Sequence, residues 1–237
     1  MASGLHSGKN EAWIVNIKRQ ELAGRRDGMA AWLENKLGIQ DAIELAHREE
    51  ALSKRRALEL YDKRLFDTFE VGTFRGLAAI HGYLFQDVYA FAGKLRTVNI
   101  AKGNFRFAPV LYLADALREI DRMPQATFDA IVEKYVEMNV AHPFREGNGR
   151  STRIWLDTIF RKELQRAVDW IRVDKEDYLL AMERSPVRDT EIKRLLKSAL
   201  TDRVHDREVF MKGIDASYWY EGYRMYRTAA FDEPQIH

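Results

Sequence analysis

His142-Pro143-Phe144-Arg145-Glu146-Gly147-Asn148-Gly149-Arg150 is the stretch around which the fold of this chain can be predicted. An amphipathic pattern ends at His142, because a proline disfavours the α conformation in the residue that precedes it. A second apolar helical pattern begins just after the two glycines. We therefore predict that one helix ends at His142 and that another begins at Gly147-Asn148-Gly149.

The rest of the chain predicts a mainly α protein, since apolar residues recur at helical spacing and period-two alternation is rare. Thr73 is a candidate N-cap, Pro109 suits the first turn of a helix, and two short helices are predicted over 174–184 and 189–200. The exception is the region 93–109, where a turn-like Lys102-Gly103-Asn104 separates short apolar runs. This pattern predicts a β-hairpin.

Composition limits the class of protein. The chain has 237 residues, 46% of them hydrophobic and none of them cysteine, which excludes disulfides, thiolate metal sites and a cysteine nucleophile. No stretch approaches the roughly 18 apolar residues of a membrane helix, so we expect no membrane partner and a cytoplasmic location. The 38 basic residues nearly balance the 36 acidic ones, so bulk charge gives no reason to expect direct nucleic-acid binding.

The helical pattern also suggests how the chain is divided. We predict an N-terminal helical extension over 1–65, a helical core over 66–200 and a C-terminal segment over 201–237. The extension carries many charges, and no chemistry is evident in it. We interpret His81, like the other isolated histidines, as a structural residue.

The chemistry is concentrated between His142 and Arg153. Free backbone N–H groups at a helix start form an anion site, and Arg150 and Arg153, three residues apart, lie on one face of its first turn. Glu146 could hold Mg²⁺ together with phosphate oxygens, which is the usual coordination of that ion. His142 could accept a proton near neutral pH. These residues predict phosphoryl-group transfer.

The stretch resembles the Fic family, because His142 to Arg150 followed by Arg153 matches its signature HPFx[D/E]GNGRxxR at every fixed position. The similarity extends over about residues 70 to 200, and Ala92-Gly93 and Leu95-Arg96 look like the family's entry to its flap. The resemblance implies a Fic-type helical core with a short β-hairpin flap over the active site. It also implies transfer of AMP from ATP to a Tyr, Thr or Ser hydroxyl of a target protein.

The resemblance assigns a role to each residue of the signature. His142 would be the base that deprotonates the target hydroxyl, and Glu146 would bind Mg²⁺ between the α- and β-phosphates. Gly147, Asn148 and Gly149 would form the anion hole. Arg150 would stabilise the leaving pyrophosphate, Arg153 would hold the γ-phosphate, and the flap around Lys102 and Gly103 would dock the target.

A further match lies near the C-terminus, where Ser217 to Gly222 looks like the family's inhibitory motif [S/T]xxxE[G/N]. In family members with this motif, its glutamate pairs with the second arginine of the signature and blocks productive ATP binding. The resemblance therefore implies an inhibitory helix that carries Ser217, Glu221 and Gly222. We also predict that Tyr218 or Tyr220 can be modified by the enzyme itself.

Two alternatives stay open. Relatives on the same scaffold transfer a phosphate, another nucleotide or phosphocholine, and a toxin-type binding module could retain a catalytically vestigial loop. The intact histidine, acid and arginines favour AMP transfer. The sequence leaves the target protein undetermined, and homo-oligomerisation is also an open question.

Overall fold

A computed structural model describes residues 33–102 and 105–231 of the chain. Within these ranges the chain forms eight α-helices: α1 (Ala42–Asp62), α2 (Phe74–Phe85), α3 (Val110–Arg122), α4 (Phe128–Ala141), α5 (Asn148–Leu164), α6 (Lys175–Arg184), α7 (Thr190–Ala199) and α8 (Arg207–Tyr220). The mainly α fold predicted from the sequence is confirmed. None of the described helices is long and apolar enough to cross a membrane.

Local capping signals explain where several helices begin. The hydroxyl of Thr73 accepts a hydrogen bond from the backbone N–H of Gly76 (3.1 Å), as its predicted capping role requires. The carboxylates of Asp41 and Asp206 accept bonds from the first N–H groups of α1 and α8 in the same way. Pro109 lies at the N-cap of α3, next to its predicted first turn.

The helix α5 lies at the centre of the fold. It packs against α2, α4 and α8, and nearly every residue from Asn148 to Phe160 is buried. The core around it is built from aromatic and branched aliphatic side chains of these helices, including Leu77, Leu84, Ile131, Tyr135, Trp155 and Ile159. The helix that carries the signature arginines is therefore held on several sides.

Two short antiparallel hairpins complete the described part. Strands β1 (Ala101–Lys102) and β2 (Phe105–Arg106) pair in the register Ala101 to Arg106, and β3 (Ala167–Val168) pairs with β4 (Leu200–Thr201). The first hairpin lies in the predicted flap region but is shorter than the apolar pattern suggested. The Arg96 side chain donates hydrogen bonds to the backbone carbonyls of Val98 and Ala108, one on each side of the hairpin. These bonds hold the two segments that flank the hairpin, the flap arms, to the core.

The predicted division of the chain stays a prediction. The described part of the segment 1–65 contains α1, which packs directly against α2 and α8. Residues 1–32 and 232–237 of the predicted terminal segments lie outside the described ranges.

Candidate active site

The loop between α4 and α5 has an unusual backbone at both ends. His142 caps α4 in the left-handed conformation (φ 50°), which costs energy in a residue with a side chain. Its N–H donates to Met138, and its carbonyl accepts from Nε of Arg96 at 2.8 Å. The buried Arg96 therefore joins the strained histidine to the flap arms that it also binds.

Glycine is required at the second end of the loop. Gly147 has a φ of 76°, and a β-carbon there would lie 2.5 Å from the ring of Phe85. The adjacent Asn148 uses its side-chain amide to bind both backbone groups of Phe144, at 2.8 and 2.7 Å. The Asn148 side chain thus shapes the loop, and the helix start that it opens leaves backbone N–H groups for an anion.

His81 supports the loop from behind. Its Nε2 donates to the carbonyl of Glu146 at 2.8 Å, and its Nδ1 accepts from the N–H of Gly93 at 2.9 Å. The ring stacks on Phe144, and burial lowers the pKa of His81 to about 3. The neutral ring with the proton on Nε2 satisfies both bonds. The interpretation of His81 as a structural residue fits this position, and the structure adds that it links the signature loop to the flap entry.

The imidazole of His142 stacks on Phe107, the residue that follows β2 (ring centroids 3.7 Å apart). Burial lowers the pKa of His142 below its usual value, and the nearby charge of Lys102 acts in the same direction. The ring is therefore neutral at physiological pH and can accept a proton.

The two signature arginines meet one carboxylate. Oε2 of Glu221 lies 2.9 Å from Nε of Arg150, and its Oε1 accepts from Nη2 of Arg153 at 2.6 Å. Burial raises the pKa of Glu221, but the charges of Arg150, Arg153 and Lys102 outweigh burial and hold the pKa below its usual value. The carboxylate is ionised and binds both guanidinium groups.

Ser217 adds two further bonds to Arg153. Its hydroxyl accepts from Nε of Arg153 at 2.6 Å, and its carbonyl accepts from Nη2 at 2.9 Å. Gly222 follows in the left-handed region (φ 92°), which turns the chain sharply away after Glu221. The segment from Ser217 to Gly222 therefore binds the guanidinium of Arg153 through both Ser217 and Glu221.

The Glu221 carboxylate also lies directly over the start of α5. Its Oε1 approaches Gly149 so closely that a β-carbon there would overlap it. An anion therefore already lies at the helix start, between the two arginines. This is the place where the sequence predicts a phosphate.

Glu146 is the acid that the sequence assigns to Mg²⁺. Its Oε1 accepts from the N–H of Gly147 (3.0 Å) and from Nη2 of Arg150 (3.1 Å), and its side chain is 21% exposed. Within the described ranges no group of three His, Asp or Glu side chains could hold a metal ion alone. A single partly exposed carboxylate fits an ion that takes its other ligands from water and substrate phosphates.

The flap residues lie beside this site. Lys102 is the last residue of β1, and its charge is close enough to influence His142 and Glu221. Gly103 lies outside the described residues.

Sequence reasoning missed one residue of the site. Glu49, in the middle of α1, is fully buried, and its Oε1 accepts from Nη1 of Arg150 at 2.5 Å. The available signal was weak: Glu49 and Glu50 are acids on the inward face of a helix, where a charged group needs a partner.

Solved structures share this fold. The chain aligns with the BepC protein of Bartonella tribocorum, a structure with bound AMPPNP, at a TM-score of 0.59 and 18% identity, covering 77% of this chain and 98% of that one. It aligns with the N-terminal Fic domain of a Bartonella effector protein from Bartonella sp. AR 15-3 at a TM-score of 0.61 and 19% identity, covering 77% and 92%. The helical core with its small hairpin is therefore a Fic fold.

The sequence agrees with the fold. Residues 72–160 match the Fic/DOC family. The chain is 30% identical over 187 residues to protein adenylyltransferase VbhT of Bartonella schoenbuchensis, covering 74% of this chain and 38% of VbhT. It is 34% identical over 142 residues to the probable protein adenylyltransferase Fic of Salmonella typhimurium, covering 54% of this chain and 66% of that protein. Over residues 72–160 the chain is similar to the Fic/DOC family, and it spans less than two thirds of the length of these two relatives.

Proposed function

We propose that this protein transfers AMP from ATP to a Tyr, Thr or Ser hydroxyl of a target protein and that its own C-terminal helix inhibits it. The observation that carries the proposal is the position of the Glu221 carboxylate, which bridges Arg150 and Arg153 over Gly149. A site that binds a carboxylate between two arginines at a helix start suits the phosphates of a nucleotide. The relatives named as adenylyltransferases support the choice of AMP.

The reaction follows from the neighbours of this anion site. The target hydroxyl oxygen forms a bond to the α-phosphorus of ATP, and the bond from that phosphorus to the oxygen bridging to the β-phosphate breaks. The neutral His142 takes the hydroxyl proton, and pyrophosphate leaves. Arg150 stabilises the charge that develops on the pyrophosphate, and Arg153 holds the γ-phosphate.

Mg²⁺, when bound beside Glu146, would neutralise phosphate charge. The protein's own contribution is to hold that carboxylate still, through the N–H of Gly147 and the guanidinium of Arg150. The Asn148 amide keeps the loop in shape, so the backbone N–H groups of the helix start converge on the phosphates.

The flap is proposed as the docking site for the target. A two-stranded hairpin offers the backbone groups of its edge to an extended segment, and Lys102 is the last residue of its first strand, with Gly103 next in the sequence. Phe107 covers His142 at the base of the same hairpin. A segment paired with the flap would therefore be brought towards the base. We propose a cytoplasmic location for the protein, because its substrate ATP is available there.

We propose that the C-terminal helix inhibits the enzyme by occupying the arginine that would otherwise bind ATP. While Glu221 and Ser217 hold Arg153, the γ-phosphate lacks its partner. Self-modification needs the same helix to move, because the Tyr218 hydroxyl donates to Ser53 at 2.7 Å and the Tyr220 hydroxyl to Trp170 and Val173. We propose that these tyrosines become substrates only after the end of α8 has left its place.

Labelled ATP tests the function. The protein, with Glu221→Gly to remove the inhibitor, is incubated with Mg²⁺ and ATP labelled on either the α- or the γ-phosphate. Label from the α-phosphate on protein supports AMP transfer. Label from the γ-phosphate would show phosphate transfer instead, and absence of both labels on a target-containing lysate and on the enzyme itself would contradict the proposal.

A further inference from the structure

Glu49 lies outside the segment that matches the Fic/DOC family, yet it binds the central arginine of the site. Its carboxylate accepts from Nη1 of Arg150 at 2.5 Å and from the hydroxyl of Tyr223 at 2.7 Å on one oxygen, and from the hydroxyl of Tyr89 on the other. The side chains of Glu49 and Arg150 are both 0% exposed. This ion pair is therefore part of the interior and is closed to water.

The remaining contacts of Arg150 show what Glu49 does to the guanidinium. Aromatic rings pack around the group, with the ring centroids of Phe85, Tyr218 and Tyr223 at 4.8, 5.1 and 4.6 Å from its central carbon. Rings fix the plane of the group but not its rotation within that plane. Nη1 donates to Glu49, Nη2 donates to Glu146, and Nε lies 2.9 Å from the Glu221 carboxylate.

Of the three acids around Arg150, Glu49 is the one with no other task in the proposed reaction. The side chains of Glu146 and Glu221 are 21% and 19% exposed, and the reaction engages the first with Mg²⁺ and removes the second. A buried charge without a partner is costly, so Arg150 needs a counter-ion that stays. Glu49 stays because its own oxygens are held by two tyrosine hydroxyls.

We infer that Glu49 is a positioning residue for Arg150, which it holds so that Nε and Nη2 point at the leaving pyrophosphate. This inference rests on the proposed function for its kinetic consequence. It also makes α1 a part of the active site, because the helix supplies a side chain without which the arginine of the signature is free to rotate.

The charge of Glu49 predicts an unusual kinetic signature. Replacing it by glutamine removes a negative charge from behind the anion site, so ATP in the ground state should bind as tightly as before or more tightly. The donors of Arg150 lose their alignment, however, and alignment matters most where charge develops in the transition state. We therefore expect kcat to fall while the Kd of ATP does not rise.

The test compares two neighbouring acids in the Glu221→Gly background. Glu50 is as buried as Glu49 (1% exposed), but it contacts Lys54 and the N–H groups of Met225 and Tyr226, not Arg150. We expect Glu49→Gln to lower kcat by at least about 10-fold with the Kd of ATP within about 3-fold of the parent. We expect Glu50→Gln to change kcat by less than about 3-fold. Equal losses in the two variants, or no loss in Glu49→Gln, would overturn the inference.

A second measurement does not depend on transfer. In ¹⁵N-labelled protein, the Nε–H signal of Arg150, identified by its absence in Arg150→Lys, should exchange slowly with water in the parent and in Glu50→Gln, and fast in Glu49→Gln. If this signal stays protected in Glu49→Gln, Glu49 does not position Arg150, whatever the protein transfers. If the parent shows the expected protection but transfers no label, the proposed function fails and the positioning role stands.

Two further variants secure the interpretation. On an Arg150→Lys background, Glu49→Gln should cost less than about 3-fold in kcat, because the residue through which it acts has gone; a full additive loss would refute the link. If circular dichroism shows that Glu49→Gln is unfolded, the Tyr89→Phe variant replaces it as the test of the inference. It removes one hydroxyl from Glu49 and should lower kcat by about 3-fold or more, and an unchanged kcat would overturn the inference.

Discussion

Replacing Glu221 by glycine should activate the enzyme. The change removes the carboxylate that bridges Arg150 and Arg153 and lies over Gly149, in the place that the phosphates need. Glycine fits at this position, because Glu221 already follows the last turn of α8 and is itself followed by a glycine. The fold should therefore survive the loss of the side chain.

The contacts of Glu221 set the size of the effect. Its Oε1 accepts a charge-assisted hydrogen bond from Arg153, and such a bond contributes about 1.5 to 3 kcal/mol, while its Oε2 forms an ion pair with Nε of Arg150. ATP replaces these bonds with its own, so only a part of their energy is the cost of displacement. If that cost is about 1.4 to 3 kcal/mol, activation lies between about 10-fold and 10²-fold.

The assay measures α-label incorporation into target and enzyme at saturating Mg²⁺ and ATP. Glu208→Gly is the matched control, because Glu208 lies on the same helix and pairs with Lys212 at the surface; it should leave the rate at the parental level. Adding Arg153→Ala to Glu221→Gly should abolish the gain, since the freed arginine is what binds the γ-phosphate. A folded Glu221→Gly variant with no more incorporation than the parent would refute autoinhibition by α8.

Three further predictions concern the base, the flap and acid stability. His142→Ala should lower transfer by about 10² to 10⁴-fold with nucleotide affinity intact in calorimetry; a rate within a few fold of the parent would rule out His142 as the base. Val98→Pro or Ile100→Pro should slow target modification and spare ATP binding, and unchanged modification kinetics would remove the flap from the mechanism. Burial lowers the pKa of both His142 and His81, so below about pH 6.5 the unfolded chain binds protons that the folded one does not. The free energy of unfolding should therefore fall with decreasing pH, by up to about 1.4 kcal/mol per unit for each ring, and urea titrations should show a shallower fall for His142→Ala than for the parent.

Much of the site follows from local sequence signals. A proline after His142 ends α4, the glycines open α5, and the spacing of Arg150 and Arg153 places both on one face of it. These features depend on backbone preferences within a few residues. For the same reason the position of the hairpin was predictable from the turn residues around Lys102.

The length of the hairpin strands was less predictable. The apolar pattern from Leu95 to Phe107 suggested longer strands, but Arg96 binds the carbonyls of Val98 and Ala108. Groups that serve these contacts are drawn away from regular pairing. Such competition between partners depends on packing and is not visible in a pattern of apolar residues.

The sequence by itself predicted the helical core, which the structure confirms, and the loop and residues that we propose a nucleotide would meet. Only the tertiary structure decided which acids surround Arg150, since Glu49 is 101 residues away from it in the chain. Helical periodicity shows that Glu49 faces inward, but many inward positions are equivalent by that criterion. A buried carboxylate finds its partner through the packing of α1 against α2 and α8, and packing is a property of the whole folded chain.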